Sequence, residues 1–245
     1  MVLALLGLAL VIANIHNTSK QQAHLQNVKS AIPYATTPKT TTSSTSSSSD
    51  EELKLNPIID LSGWQLPQDI DYDVLSNHIS GAIVRVFGGS QISKDSNAAS
   101  SNGVDKSFKT HIKELKKRDV PVAVYSYAQG ASVKEMKEEA RIFYKNASPY
   151  KPTYYWIDVE EETMPNMEEG VQAFLAELKR LGADKVGLYI GAYFMLEQEV
   201  STRNFDAVWI PAYGTDSGYY ETLPNTDIDY DLCLLYTSPS PRDTE

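Results

Sequence analysis

Cysteine and basic residues are scarce in this chain of 245 residues. Its only cysteine is Cys233, so no intramolecular disulfide can form and the fold depends on its hydrophobic core. For an exported protein, this is more typical of a bacterial than of a eukaryotic secretory pathway. Lysine and arginine number 22 against 32 acidic residues, and the net charge of -10 argues against nucleic acid as a partner.

A hydrophobic run long enough to span a membrane is also missing at the N-terminus. The apolar run over residues 2–13 reaches about 18 Å as a helix, which is short of the roughly 30 Å hydrocarbon core. Such a length is typical of a signal-peptide core, so residues 1–16 are predicted to be a signal peptide or a membrane anchor.

Residues 36–49 lack side chains that a core could bury, because they are almost wholly serine and threonine. We therefore predict a Ser/Thr-rich, disordered linker over residues 17–54. A generic disordered leader is the alternative. An apolar start followed by a tether favours an extracellular or surface-tethered bacterial protein that meets a membrane only through this N-terminal segment.

One folded domain is expected over residues 55–232.

From residue 57 onward, β-rich runs alternate with helical patterns. Helices are indicated by apolar residues at helical spacing, by the capping pair Ser132 and Glu135, and by Gly182 as a stop signal. Strands separated by helices predict a parallel sheet with right-handed crossovers. The predicted strands are residues 57–62, 81–89, 120–128, 154–160, 185–191 and 207–213.

The alternation of side chains within these strands favours a barrel over an open sheet. In each strand, one set of alternate residues is aliphatic, as expected for the face that lies under helices. The other set is polar and aromatic. A polar and aromatic face indicates the interior or mouth of a barrel. Residues after 213 show no helical stripe, so the predicted α/β barrel lacks covering helices at its end. The polar and aromatic set is Asp60, Arg85, Tyr125, Tyr127, Trp156, Asp158, Glu160, Tyr189, Trp209 and Tyr213.

Carboxylates occur where two of these strands end, which is where parallel α/β folds place their chemistry. Asp158 and Glu160 share a strand face about 6.6 Å apart along the strand, so each disfavours ionisation of the other and one can act as a general acid. With Asp60, they are the candidate catalytic residues of a glycoside hydrolase. A hard divalent cation at these three residues is the alternative; no histidine lies among the strand ends, so zinc is not expected.

The aromatic residues near these carboxylates suggest a sugar site, because the apolar face of a pyranose stacks on aromatic rings. The candidate substrate-binding residues are Tyr127, Tyr125, Tyr189, Trp209 and Tyr213. Arg85 is expected to be a structural counter-ion that bonds inward-facing carboxylates.

Six segments between residues 57 and 232 resemble glycoside hydrolase family 25, the barrel lysozymes that cleave bacterial peptidoglycan. The segments are IIDLSGWQ at 58–65, DKSFKTHI at 105–112, PVAVYSYA at 121–128, WIDVE at 156–160, VGLYIGAY at 186–193 and VWIPAY at 208–213. The resemblance implies a modified TIM-like (β/α)5(β)3 barrel and an N-acetylmuramidase. Such an enzyme cleaves the β-1,4 bond between N-acetylmuramic acid and N-acetylglucosamine in peptidoglycan glycan strands. It needs no cofactor, and we expect a monomer.

The resemblance also assigns roles to individual residues. Glu160 matches the general acid/base of the family, and Asp158 matches the carboxylate that assists the acetamido group of the substrate or the charge at the anomeric carbon. Asp60 matches the active-site aspartate of the first strand. Tyr127, Trp209 and Tyr213 match positions that line the sugar groove.

The chain departs from the family pattern after Asp231. Residues 232–236 are predicted to form part of one strand, but Pro239 and Pro241 exclude a regular central strand beyond it. Residues 233–245 are therefore predicted to be an atypical, non-native tail, with the last strand or strands missing or replaced. Two other functions stay open at this point: a glycan-binding module that does not cut its ligand, and a chitinase-like glycosidase.

Overall fold

The structure, a computed structural model, describes residues 57–212 and 226–234. Within these ranges, seven strands form one parallel sheet, and each strand pairs with the next in chain order. The strands are β1 (Ile58–Leu61), β2 (Gly81–Phe87), β3 (Val122–Tyr127), β4 (Tyr155–Val159), β5 (Val186–Ile190), β6 (Ala207–Pro211) and β7 (Leu232–Leu234). The sheet curls into an incomplete barrel, which confirms the predicted modified α/β barrel.

Helices follow the first five strands. They are α1 (Tyr72–Ser76), α2 (Phe108–Lys116), α3 (Val133–Ala147), α4 (Met167–Leu181) and α5 (Ala192–Glu197), with short 3-10 helices at Pro67–Asp69 and Ser148–Tyr150. The Ser132 side chain accepts a hydrogen bond from the Glu135 backbone N–H at 3.2 Å and begins α3. Gly182 ends α4 in the left-handed region, at φ 104°. Both predicted signals are confirmed.

Two separate hydrophobic clusters cover the two faces of the sheet. The first lies between sheet and helices and includes the aliphatic strand residues Val84, Val124 and Ile157 with the helical residues Phe108 and Phe143. The second lies inside the curl and is largely aromatic. Its buried members are Ile83, Ala123, Trp156, Tyr189, Ala207 and Trp209. The predicted separation of an aliphatic face of the sheet from an aromatic face is therefore confirmed.

A glycine in β5 allows the interior to hold a tryptophan. The Trp156 indole crosses the position that a side chain at Gly187 would take, since a Cβ there would lie 2.3 Å from an indole carbon. Gly187 is also the direct register partner of Trp156 on the neighbouring strand. The indole ring thus fills the interior space beside both β4 and β5.

β1 and β7 are the two edges of the described sheet. They face each other across a small cavity of about 40 Å³ lined by Ile59, Asp60, Trp209 and Cys233, among other residues. β7 pairs with β6 through Leu232, Cys233 and Leu234, so the sheet continues two residues past the predicted end of the barrel at 232. The predicted N-terminal segment and linker, and most of the predicted tail, lie outside the described residues. No helix within the described ranges is both long and apolar enough to cross a membrane.

Candidate active site

The strand register brings the interior side chains into rows at the carboxyl end of the sheet. Tyr127 of β3, Asp158 of β4, Tyr189 of β5 and Trp209 of β6 are successive register partners. Asp158 therefore lies between two tyrosines. Glu160 follows one residue after the end of β4 and has the same parity as Asp158, so strand alternation directs both carboxyl groups to the interior side of the sheet.

Asp158 and Glu160 lie close enough to form a hydrogen-bonded carboxyl pair when one of them is protonated. Burial raises the pKa of Asp158 well above its ordinary value, and the charge of Glu160 adds to this, because only 7% of the residue is exposed. Glu160 is exposed at the mouth of the site, yet partial desolvation is still the largest cause of its raised pKa. The pair therefore retains a proton at a pH where isolated carboxyl groups are ionised.

Asp60 belongs to the same electrostatic group, although it lies on the first strand. It is half-buried in β1, and desolvation raises its pKa. Its negative charge in turn raises the pKa of both Asp158 and Glu160. The structure thus brings the three predicted catalytic carboxyl groups within range of one another's charge. Their catalytic roles stay predictions.

One carboxyl oxygen of Asp158 has an unusual environment. Its Oδ1 atom is buried and makes no hydrogen bond within the described part of the chain. An unsatisfied buried oxygen is costly, and such atoms are typical of places that a ligand or water completes. Oδ1 is therefore suited to accept a hydrogen bond from a bound substrate.

Arg85 bonds to Asp105, a residue that the sequence had not marked as part of the site. Its Nε donates to Asp105 Oδ2 at 3.0 Å, and both side chains are buried. Asp105 also accepts from the backbone N–H groups of Gly63, Ser107 and Phe108 at 2.7, 2.8 and 3.1 Å. The positive charge of Arg85 also opposes the rise in the pKa of Asp158. Its predicted structural role remains a prediction.

The loop after Asp60 is held from two sides. Asp105 accepts from the Gly63 N–H, and the buried His111 ring contacts the Ser62 carbonyl oxygen through Nε2 at 3.1 Å. The other ring nitrogen, Nδ1, lies 2.6 Å from the Tyr72 hydroxyl. His111 is therefore committed to structural contacts, and the turn that follows the first catalytic candidate is fixed by buried side chains.

The predicted sugar-binding aromatic residues fall into two groups. Tyr189 and Trp209 are buried and pack edge to face with ring centroids 4.6 Å apart, so little of either ring is open to a ligand. Tyr125 also faces the interior, and burial raises its pKa well above the ordinary value. Tyr127 lies at the end of β3, where its hydroxyl donates to Glu161 Oε1 at 2.7 Å. Tyr213 lies outside the described residues. Substrate binding by all five stays a prediction.

Asp105 and Glu161 are the site residues that sequence reasoning missed. Asp105 had a signal, since an aspartate just before an apolar helix start is a capping pattern and an inward arginine needs a counter-ion. Glu161 had none, because its partner Tyr127 is 34 positions away in the sequence. Within residues 57–212 and 226–234, no group of three or more His, Cys, Asp or Glu side chains is arranged to hold a metal ion.

Comparisons with known proteins agree with this geometry. The family model of Glycosyl hydrolases family 25 matches residues 59–228, which is more than half of the chain. The structure of GHIP, a glycosyl hydrolase 25 of Streptococcus pneumoniae described as a virulence factor in host cell invasion, is 53% identical. The match covers 77% of this chain and 82% of that one, with a TM-score of 0.73.

A second similar structure is the catalytic domain of the endolysin Ply40 from bacteriophage P40 of Listeria monocytogenes. It is 26% identical, covers 73% of this chain and 83% of that one, and has a TM-score of 0.62. The comparison with curated proteins found no match. The family match and the 53% identity lead to one conclusion: this chain belongs to glycosyl hydrolases family 25 and is a glycoside hydrolase.

Proposed function

We propose that Glu160, Asp158 and Asp60 carry out the reaction of this enzyme, the hydrolysis of the β-1,4 bond between N-acetylmuramic acid and N-acetylglucosamine in bacterial peptidoglycan. The observation that carries the proposal is the pair of adjoining carboxyl groups at the end of β4, which lies within range of the charge of a third carboxyl group from β1. Hydrolysis of a glycosidic bond needs such a proton donor and a second group that stabilises the oxocarbenium-like transition state.

Glu160 is the proton donor in this proposal because it is the exposed member of the pair, within reach of a bound glycan. Asp158 holds the proton in the resting hydrogen bond and passes it to Glu160 when substrate displaces water from the mouth. Glu160 then gives this proton to the oxygen of the breaking bond, and the leaving sugar departs with it as a hydroxyl group. Afterwards, the Glu160 carboxylate accepts a proton from the attacking water, which restores the pair.

Asp158 contributes a second function once it has lost its proton. Its buried Oδ1, which is free of hydrogen bonds within the described residues, accepts the N–H of the substrate acetamido group and orients that group towards the anomeric carbon. The half-buried Asp60 adds negative charge from the first strand, which favours the positive charge that develops during bond cleavage.

The cellular setting follows from this substrate. Glycan strands of peptidoglycan lie outside the cytoplasmic membrane, so the enzyme acts at the cell wall. We propose that residues 1–16 export or anchor the chain and that the Ser/Thr-rich residues 17–54 hold the catalytic unit away from the membrane. We also propose that the enzyme is a monomer. The apolar run and the linker composition support this arrangement.

Replacement of Glu160 by glutamine tests the assignment. Glu160→Gln keeps the side-chain shape but has no acid proton, so release of reducing sugar from purified peptidoglycan is expected to fall about 10²–10⁴-fold. Glu162→Gln is the matched control, because Glu162 is also a carboxylate of this loop and, among the described residues, its side chain bonds to Gln198 alone, in a solvent-exposed contact. Neither variant should unfold at a lower temperature than the wild-type protein. Near-normal activity of Glu160→Gln would rule out the proposed acid.

The same assay separates the other functions. A binding module would bind purified cell walls and release no reducing sugar, and a chitinase-like enzyme would turn over chitin faster than peptidoglycan. We expect the wild-type chain to release reducing sugar from peptidoglycan and to leave chitin intact.

A further inference from the structure

A hydrogen bond between two strand ends crosses the mouth of the site. Tyr127 is the last residue of β3, and its hydroxyl donates to Oε1 of Glu161, which lies two residues after β4, at 2.7 Å. Tyr127 is also the direct register partner of Asp158. The bond therefore links the end of β3 to the end of β4, the strand that carries the carboxyl pair.

The charged groups around this bond are almost all acidic. Glu160 faces the charges of Glu161 from its own loop and of Asp60 from β1, and both raise its pKa. Arg85 of β2 is the cation whose charge acts on Asp158. Other titratable neighbours among the described residues are Asp105, which is bonded to Arg85, Tyr125 and Tyr127 of β3, and Tyr189 of β5, which is the register partner of Asp158. Glu162 points towards Gln198 after α5.

We propose that Glu161 is a positioning residue of the reaction: its carboxylate fixes the Tyr127 hydroxyl at the mouth of the site and places an additional negative charge beside the Asp158 and Glu160 pair. This inference rests on the proposed function of that pair. A charge-assisted bond to a carboxylate is stronger than a neutral one, so the Tyr127 ring is held in one orientation towards the glycan. The same carboxylate disfavours ionisation of Glu160.

These two effects are separable by substitution. Glu161→Gln retains an oxygen that accepts the Tyr127 hydroxyl but removes the negative charge. Glu161→Leu removes both the acceptor and the charge. Tyr127→Phe removes the hydroxyl and leaves the charge of Glu161 in place. A residue with a merely structural role would change stability in all three variants without moving the pH dependence of catalysis.

The sign of the pH effect follows from the role of the pair as an acid. The basic limb of the activity profile marks the loss of the catalytic proton, so a lower pKa of Glu160 moves that limb to lower pH. Removal of one nearby charge that is partly screened by water is expected to move the limb by about half a pH unit. Since salt screens exposed charges, the shift should shrink as ionic strength rises.

The experiment measures kcat and KM on purified peptidoglycan between pH 4 and pH 9 for the full chain and its variants. Glu161→Gln is expected to shift the basic limb downward by about half a unit, with kcat at the optimum within about threefold of wild type. Glu161→Leu should show the same shift and in addition a KM raised severalfold, because the Tyr127 ring is released. Tyr127→Phe should raise KM and leave the basic limb at or above its wild-type position. Glu162→Gln, the matched control, should superimpose on wild type.

Two results would overturn the inference, and neither resembles a failure of the proposed function. If the basic limbs of Glu161→Gln and wild type coincide while Glu160→Gln is inactive, Glu161 has no role in setting the proton, although the acid assignment stands. If Glu162→Gln shifts the limb as much as Glu161→Gln, the effect is one of general surface charge. Normal activity of Glu160→Gln would instead refute the proposed function.

Discussion

Asp105→Asn is expected to be one of the most destabilising conservative substitutions in the chain. The wild-type carboxylate accepts from Arg85 Nε and from the backbone N–H groups of Gly63, Ser107 and Phe108. None of its side-chain surface is exposed, and only 11% of the Arg85 side chain is. The substitution keeps the shape of the side chain but leaves the guanidinium buried without an opposite charge.

The magnitude follows from what remains after the change. Removing one partner of a buried ion pair costs about 3–5 kcal/mol, because the other charge stays desolvated and unpaired. The amide nitrogen of asparagine is a donor, so it cannot accept from the N–H groups that bond to the wild-type carboxylate. A buried N–H that loses its acceptor in this way adds about 1–2 kcal/mol to the loss of stability. Water that reaches the partly open Arg85 offsets some of this, so we expect a net loss of about 3–5 kcal/mol in the free energy of unfolding.

Urea unfolding followed by tryptophan fluorescence measures this loss, with Asp73→Asn as the control. Asp73 forms an ion pair with Arg118 at 2.6 Å, but 84% of its side chain is exposed, so its loss should have little effect on the free energy of unfolding. The double variant Arg85→Met with Asp105→Asn should be more stable than Asp105→Asn alone, because it removes the unpaired charge. A loss below about 1 kcal/mol for Asp105→Asn would refute the reasoning that this pair is a buried, fully bonded support.

Two further predictions concern the interior of the sheet. Asp158→Asn should raise the free energy of unfolding at pH 7. The pKa of Asp158 is raised in the folded state, so the wild-type protein loses stability as pH rises above the ordinary aspartate pKa of about 3.9. In urea unfolding at several pH values, this difference should vanish below about pH 3.5. Its absence at pH 7 would contradict the burial of the Asp158 carboxyl group. Gly187→Ala should lower the free energy of unfolding by about 2–3 kcal/mol, because the added Cβ would lie 2.3 Å from a carbon of the Trp156 indole. Gly81→Ala is the control, since a Cβ there meets no atom closer than 3.5 Å. It should change the free energy of unfolding by less than about 1 kcal/mol in the same assay.

The sequence was sufficient to predict the elements that depend on local patterns. Ser132 and Gly182 mark helix ends because a hydroxyl cap and a left-handed glycine act on backbone groups within a few residues. The strand alternation predicted which side chains lie under helices and which line the curl, since successive strand residues must face opposite sides. From that alternation, Asp60, Asp158 and Glu160 could be placed on one surface before any coordinates were known.

The sequence alone determined that this chain folds as a parallel α/β barrel whose strand ends carry carboxyl groups, because hydrophobic periodicity and caps are properties of neighbouring residues. Only the tertiary structure decided which groups meet: Arg85 with Asp105, Tyr127 with Glu161, and the Tyr189 ring against Trp209 instead of an open groove. Such pairings depend on strand register and barrel curvature, which arise from the packing of many residues at once. The same packing sets the depth of Asp158 and hence the proton that the pair retains.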